Sequence, residues 1–277
     1  MSGPGAERPS PAPGHPEVLR ITCPNPGLMT LAGTNTYLVG SEPAWVIDPG
    51  PADPGHIGRV RDAAERLGGI AGVLLTHDHF DHSAGAELLG AELAWGGGSG
   101  PDEAQSLLSV DTEAAIEPVA AREPAPTAEV GPFLVVPTPG HAADHVAFVH
   151  GDVCFCGDLV LGEGSSIVPP LAAGGSMADY MAALDRLEAL GATLMCPGHG
   201  GWIMDPAARI ASYRAHRTER ERRLRAELEA GERSRARLLD AVWDDVPAPM
   251  RPAAALAMRA HLEKLAGEGT DLSDLRA

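Results

Sequence analysis

Val73-Leu74-Leu75-Thr76-His77-Asp78-His79-Phe80-Asp81-His82 is the stretch on which the reading of this chain turns. Three apolar residues make a short buried strand, and His77, His79, Asp81 and His82 follow at once. A lone histidine is normally a core or surface residue. Four imidazole and carboxylate donors crowded behind one strand are instead the groups that hold divalent cations at catalytic sites. The same grammar recurs further on. Phe133–Val136 leads through Thr138-Pro139-Gly140 to His141, Val153–Cys156 through Gly157 to Asp158, and Thr193–Cys196 through Pro197-Gly198 to His199. Four such strand ends, side by side in a sheet, would deliver their donors to one polynuclear site.

Around these segments the chain alternates short apolar runs with turn signals. Tyr37-Leu38-Val39 and Trp45-Val46-Ile47 read as neighbouring strands, the second closed by Asp48-Pro49-Gly50. Residues 55–67 place Ile57, Val60, Ala64 and Leu67 on one helical face, and residues 177–190 do the same with Tyr180, Leu184, Leu187 and Leu190. Gly96-Gly97-Gly98 lacks the strand–GxxxxGK–helix context of a phosphate cradle and reads as a linker. After Met204 the character changes. Asp205-Pro206 starts a helix expected to run to about Ala230, and Arg235–Val242 and Ala253–Ala266 are further helical patterns. The expected division is a disordered leader over residues 1–17, a mixed α/β catalytic domain over 18–204 and a separately cored helical module over 205–277.

Composition narrows the function. With 277 residues, 44% hydrophobic and 21% charged, the chain is globular, and no apolar run approaches the roughly 18 residues that span a bilayer. Residues 1–16 lack the apolar core of a signal peptide, so a cytoplasmic location is expected. The four cysteines show no disulfide or zinc-ribbon spacing and read as buried small hydrophobes. The formal charge of −17 opposes indiscriminate nucleic-acid binding. That charge is uneven: between Arg209 and Arg237 ten arginines stand against five glutamates, a local +5 that leaves −22 for the remainder. Arg and Glu interleave there at helical spacing (Glu219/Arg223, Glu221/Arg225), the usual pattern of a solvated helix laced by ion pairs.

The ligand order resembles the metallo-β-lactamase superfamily, whose signature H-x-H-x-D-H stands here as His77-Asp78-His79-Phe80-Asp81-His82, over about residues 25–204. The resemblance implies an αββα sandwich with two divalent metal ions at one edge of its sheets. By position, His77, His79 and His141 would hold the first ion, Asp81, His82 and His199 the second, and Asp158 would bridge them. Water or hydroxide between the ions would be the nucleophile, with Asp81 as the catalytic proton acceptor. Zinc is the expected metal, and a site of oxygen and nitrogen donors also accepts manganese or iron. The bridging Asp158 argues against β-lactamase activity itself.

Gly33-Thr34-Asn35-Thr36-Tyr37-Leu38-Val39, Leu161-Gly162-Glu163-Gly164, Pro197-Gly198-His199-Gly200 and Tyr213-xx-His216-Arg217-xx-Arg220 are similar to the lactamase-β-like-two group. That group implies a C-terminal winged-helix-like module, and it includes animal endoribonucleases and fungal thioesterases releasing polyketides from carrier protein. The acidic, Ala/Pro-rich stretch 99–132 and a short tail after Gly267 depart from it. Two substrate classes follow. Single-stranded RNA is expected first, with Arg217, Arg220 and Arg223 on its phosphates; a small-molecule acyl thioester, of the hydroxyacylglutathione or another type, is the alternative.

Overall fold

The computed structural model describes residues 9–96, 111–112, 114–123 and 125–276. Alternating apolar residues build two facing sheets. The first runs in the order β1 (Ser10–Ala12), β2 (His15–Thr22), β3 (Asn35–Val39), β4 (Ala44–Ile47), β5 (Ile70–Leu74) and β6 (Leu93–Trp95). The second contains β7 (Ala128–Val130), β8 (Phe133–Pro137), β9 (Val146–His150), β10 (Val153–Gly157) and β11 (Leu194–Pro197), with β11 beside β10 at one end.

Each sheet changes from antiparallel to parallel pairing where a helix intervenes, because parallel neighbours need a crossover. Helix α1 (Pro54–Arg66) joins β4 to the parallel β5, and α4 (Met177–Ala189) joins β10 to the parallel β11. Asp53 caps α1 by accepting from the His56 amide, and Ser176 caps α4 through the Asp179 amide. Two short helices, α2 (Phe80–Ser83) and α3 (Gly85–Leu89), follow β5.

The core comes in layers. Tyr37, Ile47 and Leu74 of the first sheet meet Phe133, Phe148 and Phe155 of the second. Ile57, Val60 and Ala64 of α1 cover the outer face of the first sheet against Leu38, Val46 and Val73. Tyr180, Leu184 and Leu187 of α4 cover the second sheet against Cys154, Cys156 and Met195. At about 1.5–3 kcal/mol for each fully buried large apolar side chain, these layers dominate the fold. The αββα sandwich is thus observed, and all four cysteines are buried and free as expected.

Two expectations need correction. The leader expected over 1–17 is ordered from within its own span: β1 and β2 pair antiparallel, and β2 pairs with β3 through Val18–Val39 to Thr22–Asn35. Val18 and Ile21 are buried in the sheet, which gives this segment the apolar anchor that its Pro/Gly-rich beginning conceals. Residues 97–110, with part of the Gly96–Gly98 linker, lie outside the described residues, yet the later part of the 99–132 stretch is held against the body. Val119 donates to the Glu263 carbonyl, and the amide and Nε of Arg122 donate to the Asp179 carboxylate.

The second correction concerns the C-terminal boundary. Helices α5 (Pro206–Glu229), α6 (Arg235–Val242) and α7 (Arg251–Gly267) do have a core of their own, around Leu224, Leu238, Trp243, Met258 and Leu262. However, Ile210 and Tyr213 of α5 and Ala260 of α7 belong to the apolar layer over the second sheet. The core therefore runs across residue 205. The only strand-like pairing among the described residues beyond 205 that lies wholly within this region joins Ser234 to Arg276, and helices make up most of the region.

Candidate metal centre

Each strand end turns its donor to the same edge. His77 follows β5 after Leu75 and Thr76, Asp81 and His82 sit on α2, and His141, Asp158 and His199 follow β8, β10 and β11. His77, His79 and His141 form one cluster; His77, His82 and Asp158 a second; Asp81, His82 and His199 a third, with donor atoms of each within 4.8 Å of one another. His141 Nε2 lies 3.0 Å from His79 Nδ1, and His199 Nε2 lies 3.3 Å from Asp81 Oδ2 and 3.2 Å from Asp158 Oδ2. The structure thus brings together the seven residues read from the sequence.

The far side of each ring fixes which nitrogen faces inward. His82 Nδ1 lies 3.0 Å from Asp48 Oδ2, His141 Nδ1 lies 2.7 Å from the Ile167 carbonyl, and His199 Nδ1 lies 3.2 Å from the Gly33 carbonyl. His77 Nδ1 is 2.9 Å from Thr76 Oγ1, while its Nε2 is buried with no hydrogen-bond partner. Asp158 Oδ1 is likewise buried without a hydrogen bond. Ring nitrogens anchored on one side and donor atoms converging on the other, where His77 Nε2 and Asp158 Oδ1 lack any hydrogen bond, fit divalent cations, and outer partners of this kind tune metal ligands. Two glycines make the convergence sterically feasible. A Cβ on Gly198 would fall 2.1 Å from Asp158 Oδ1, and Gly140 (φ +147°) passes so close to Tyr180 that a Cβ would fall 2.4 Å from its Cα.

Charge is strongly polarised here. Burial alone would raise the Asp81 carboxyl, but His82 and a hydrogen bond with His199 outweigh it and hold it well below the usual range. Burial opposes protonation of His199, yet Asp158 and Asp81 carry it up to about 10. Burial, then His141, pushes His79 down to about 3. Cations entering this cluster would take the place of protons on His82 and His199.

Sequence reasoning missed the supports. Asp48 accepts from the Thr76 amide (2.8 Å) and hydroxyl (2.7 Å) while holding His82, so it fixes the whole start of the ligand run. It stands directly at the end of β4 with Pro49-Gly50 after it, whereas Pro-Gly comes before His141 and His199. Thr34 Oγ1 donates to Asp81 Oδ2 at 2.9 Å. Ser166 donates to the Asp158 carbonyl at 2.6 Å, and Arg217 donates in turn to the Ser166 carbonyl. His145, four residues beyond His141, is buried, with Nδ1 2.8 Å from Thr138 Oγ1 and its ring 5.0 Å from that of His77.

The arginines expected on phosphates are elsewhere. Arg217 and Arg220 are only 4% and 5% exposed, the latter forked onto Asp245 at 2.7 and 2.8 Å. Arg223 pairs with Asp244 at 2.8 Å. Arg214, Arg222, Arg225, Arg233 and Arg237 also meet carboxylates.

A buried set of histidines and aspartates at the edge of an αββα sandwich defines a metallohydrolase-type centre. Residues 29–199 match the metallo-beta-lactamase superfamily, and the chain belongs to it. It is a hydrolase of that superfamily. The chain is 33% identical over 268 residues to the beta-lactamase-like protein 2 homolog of Drosophila melanogaster, covering 91% of this chain and 88% of that one. It is 30% identical over 263 residues to an atrochrysone carboxyl ACP thioesterase of Aspergillus fumigatus, covering 84% and 75%. A metallo-beta-lactamase family protein of Thermus thermophilus superposes with a TM-score of 0.66 at 25% identity, covering 93% and 95%. No helix among the described residues is long and apolar enough to cross a membrane.

Proposed function

We propose that this chain hydrolyses acyl thioesters in a cation-dependent reaction. The observation that carries this reading is the wall of the cleft over the donors. A cleft of about 240 Å³ reaches Asp81, His141, Asp158 and His199, and Leu28, Met29, Leu31, Leu161, Ile167 and Met250 line it. Among the described residues Glu163 is its one charged side chain besides the donors, and no Lys or Arg lines it. Such a wall suits an uncharged acyl chain and repels a polyanion. The RNA reading relied on Arg217, Arg220 and Arg223, which are buried or paired with acids. The thioesterase name of the Aspergillus fumigatus relative supports the same choice.

His77, His79 and His141 would hold one ion and Asp81, His82 and His199 the other, with Asp158 between them. Zinc suits these nitrogen and oxygen donors, as do manganese and iron. When bound, such ions polarise a carbonyl and lower the pKa of water from 15.7 toward about 7. The chain's own part is positional. Thr34 fixes one Asp81 oxygen, leaving that carboxylate oriented to accept a proton from the attacking water. The apolar wall excludes bulk water from the acyl group. A thiol, with a pKa near 8.5, leaves as thiolate without needing a strong acid beside it.

An acyl-thioester panel and labelled single-stranded RNA, assayed on one preparation with and without chelator, test this reading. Thioester turnover that chelator abolishes is expected. RNA cleavage without thioester cleavage would overturn it.

A further inference from the structure

We propose that Arg20 and Arg59 form an anion subsite, continuous with the hydrolytic cleft, that takes a phosphate group on the leaving-thiol side of the substrate. This rests on the thioesterase reading above. A second cavity, of about 330 Å³, adjoins the first: Glu163 lines both, and Gly33, whose carbonyl anchors His199, lines the second. Arg20 of β2 and Arg59 of α1 line this second cavity.

These two guanidinium groups differ from the arginines of α5. Neither forms an ion pair with a carboxylate among the described residues. Arg20 donates one hydrogen bond, from Nη1 to the Gly200 carbonyl at 3.1 Å, and stacks over Trp202 with its carbon 4.5 Å from the ring centroid. Among the described residues the one hydrogen bond of Arg59 is the long 3.4 Å contact with His56 Nδ1. The nearby Asp53 carboxylate is spent on the α1 cap. The Glu163 carboxylate lines the same cavity but forms no ion pair with either guanidinium among the described residues, so in a chain of net charge −17 both keep donors for an incoming anion. One carboxylate satisfies a single guanidinium fork. Two forks brought from separate elements suit a tetrahedral oxyanion with at least three acceptor oxygens. The stack on Trp202 and the Gly200 bond hold Arg20 in place before the anion arrives, which lowers the entropy cost of binding it.

The arrangement separates two jobs. The apolar cleft takes the acyl chain, the donors take the carbonyl, and the arginines take charge on the far side of the sulfur. A thioester of an uncharged thiol would be hydrolysed but poorly held.

The test pairs a homologous series of thioesters of ω-mercaptoalkyl phosphates with the corresponding uncharged ω-mercaptoalkanols, using the metal-loaded full chain. At the best linker length, kcat/KM for the phosphate is expected to exceed that for the alcohol by about tenfold or more, the usual worth of a charge-assisted hydrogen bond. In Arg59→Ala the ratio should fall toward unity, with Arg59→Lys between. Calorimetric titration with propyl phosphate reads the same site without turnover, and binding should weaken about tenfold in Arg59→Ala and Arg20→Ala. Should Arg20→Ala fail to fold, Arg59→Ala decides, because that guanidinium makes a single long hydrogen bond among the described residues. Equal turnover of phosphates and alcohols would overturn the subsite and leave the thioesterase reading standing. Arg59-dependent phosphate binding without hydrolysis of any thioester would overturn the thioesterase reading and leave the anion subsite. Phosphate binding unchanged in both alanine variants would place the anion at the metals and end the proposal.

Discussion

The histidine-rich edge and the arginine-rich helix α5 each gather charge within a short span, and they dispose of it in opposite ways. At the edge, outer partners such as Asp48, the Ile167 carbonyl and the Gly33 carbonyl take one side of the His82, His141 and His199 rings and turn the inner atoms toward one another. On α5 the partners take the charge itself: Asp245 holds Arg220, Asp244 holds Arg223, and the Ser166 carbonyl holds Arg217. A dense run of one residue type thus announces a binding site only where its partners leave something over. The edge leaves ligand atoms; the helix leaves almost nothing.

The largest effect in this contrast should come from the edge. Asp81→Ala removes a donor and the proton acceptor together, so turnover should fall by about 10³-fold or more. Elemental analysis should give two ions per wild-type chain and fewer in the variant. One ion or fewer in the wild type, even after zinc loading, would break the binuclear assignment.

Next in size is Arg217→Ala. This buried guanidinium supports the Ser166 loop behind His141 and packs 5.3 Å from the Tyr180 ring centroid. Its loss should cost about 2–4 kcal/mol of stability, from an unsatisfied carbonyl plus a cavity. Denaturant unfolding measures it, and a loss below about 0.5 kcal/mol would return Arg217 to the surface role expected from sequence. Asp48→Asn should be milder, weakening metal affinity by about 10–100-fold through a misoriented His82, as read by competition with a chromophoric chelator. Unchanged affinity would show that Thr76 alone orients the ligand run.

How much of this the sequence disclosed depends on where each signal sits. The seven donors were legible because each lies just beyond the end of an apolar strand, four of them in one run, so local pattern and tertiary position coincide. Asp48 obeys the same rule, yet Asp-Pro-Gly also reads as an ordinary turn, and nothing local separates the two. Strand β1 has no periodicity of its own; its order comes from pairing with β2. The buried arginines did carry a signal. Ile210, Tyr213, Arg217, Arg220, Leu224 and Leu228 recur at three- and four-residue spacing, and all six are buried. Arg217 and Arg220 occupy an apolar stripe, where a helical wheel would have set them inward with the leucines. The acids that pair with α5, Asp244 and Asp245, lie beyond the next helix and could not be matched to it without the fold.

The smallest effect belongs to His216, which lies on the same helix and tests whether its interior is dry. Burial, then Arg217 and Arg220, lowers its pKa from 6.5 to about 4. Its Nδ1 is buried without a partner. A histidine held neutral in the fold binds fewer protons than its unfolded counterpart between those two values. Its stabilising share is therefore complete above about pH 6.5, declines as the pH falls through that window, and changes no further below about 4. His216→Gln keeps the size and removes the titration. The wild type should lose more stability than the variant between pH 6.5 and 4, with the two curves parallel above pH 7. Parallel curves throughout would mean that His216 titrates as freely as in the unfolded chain, and that the arginines beside it face water after all.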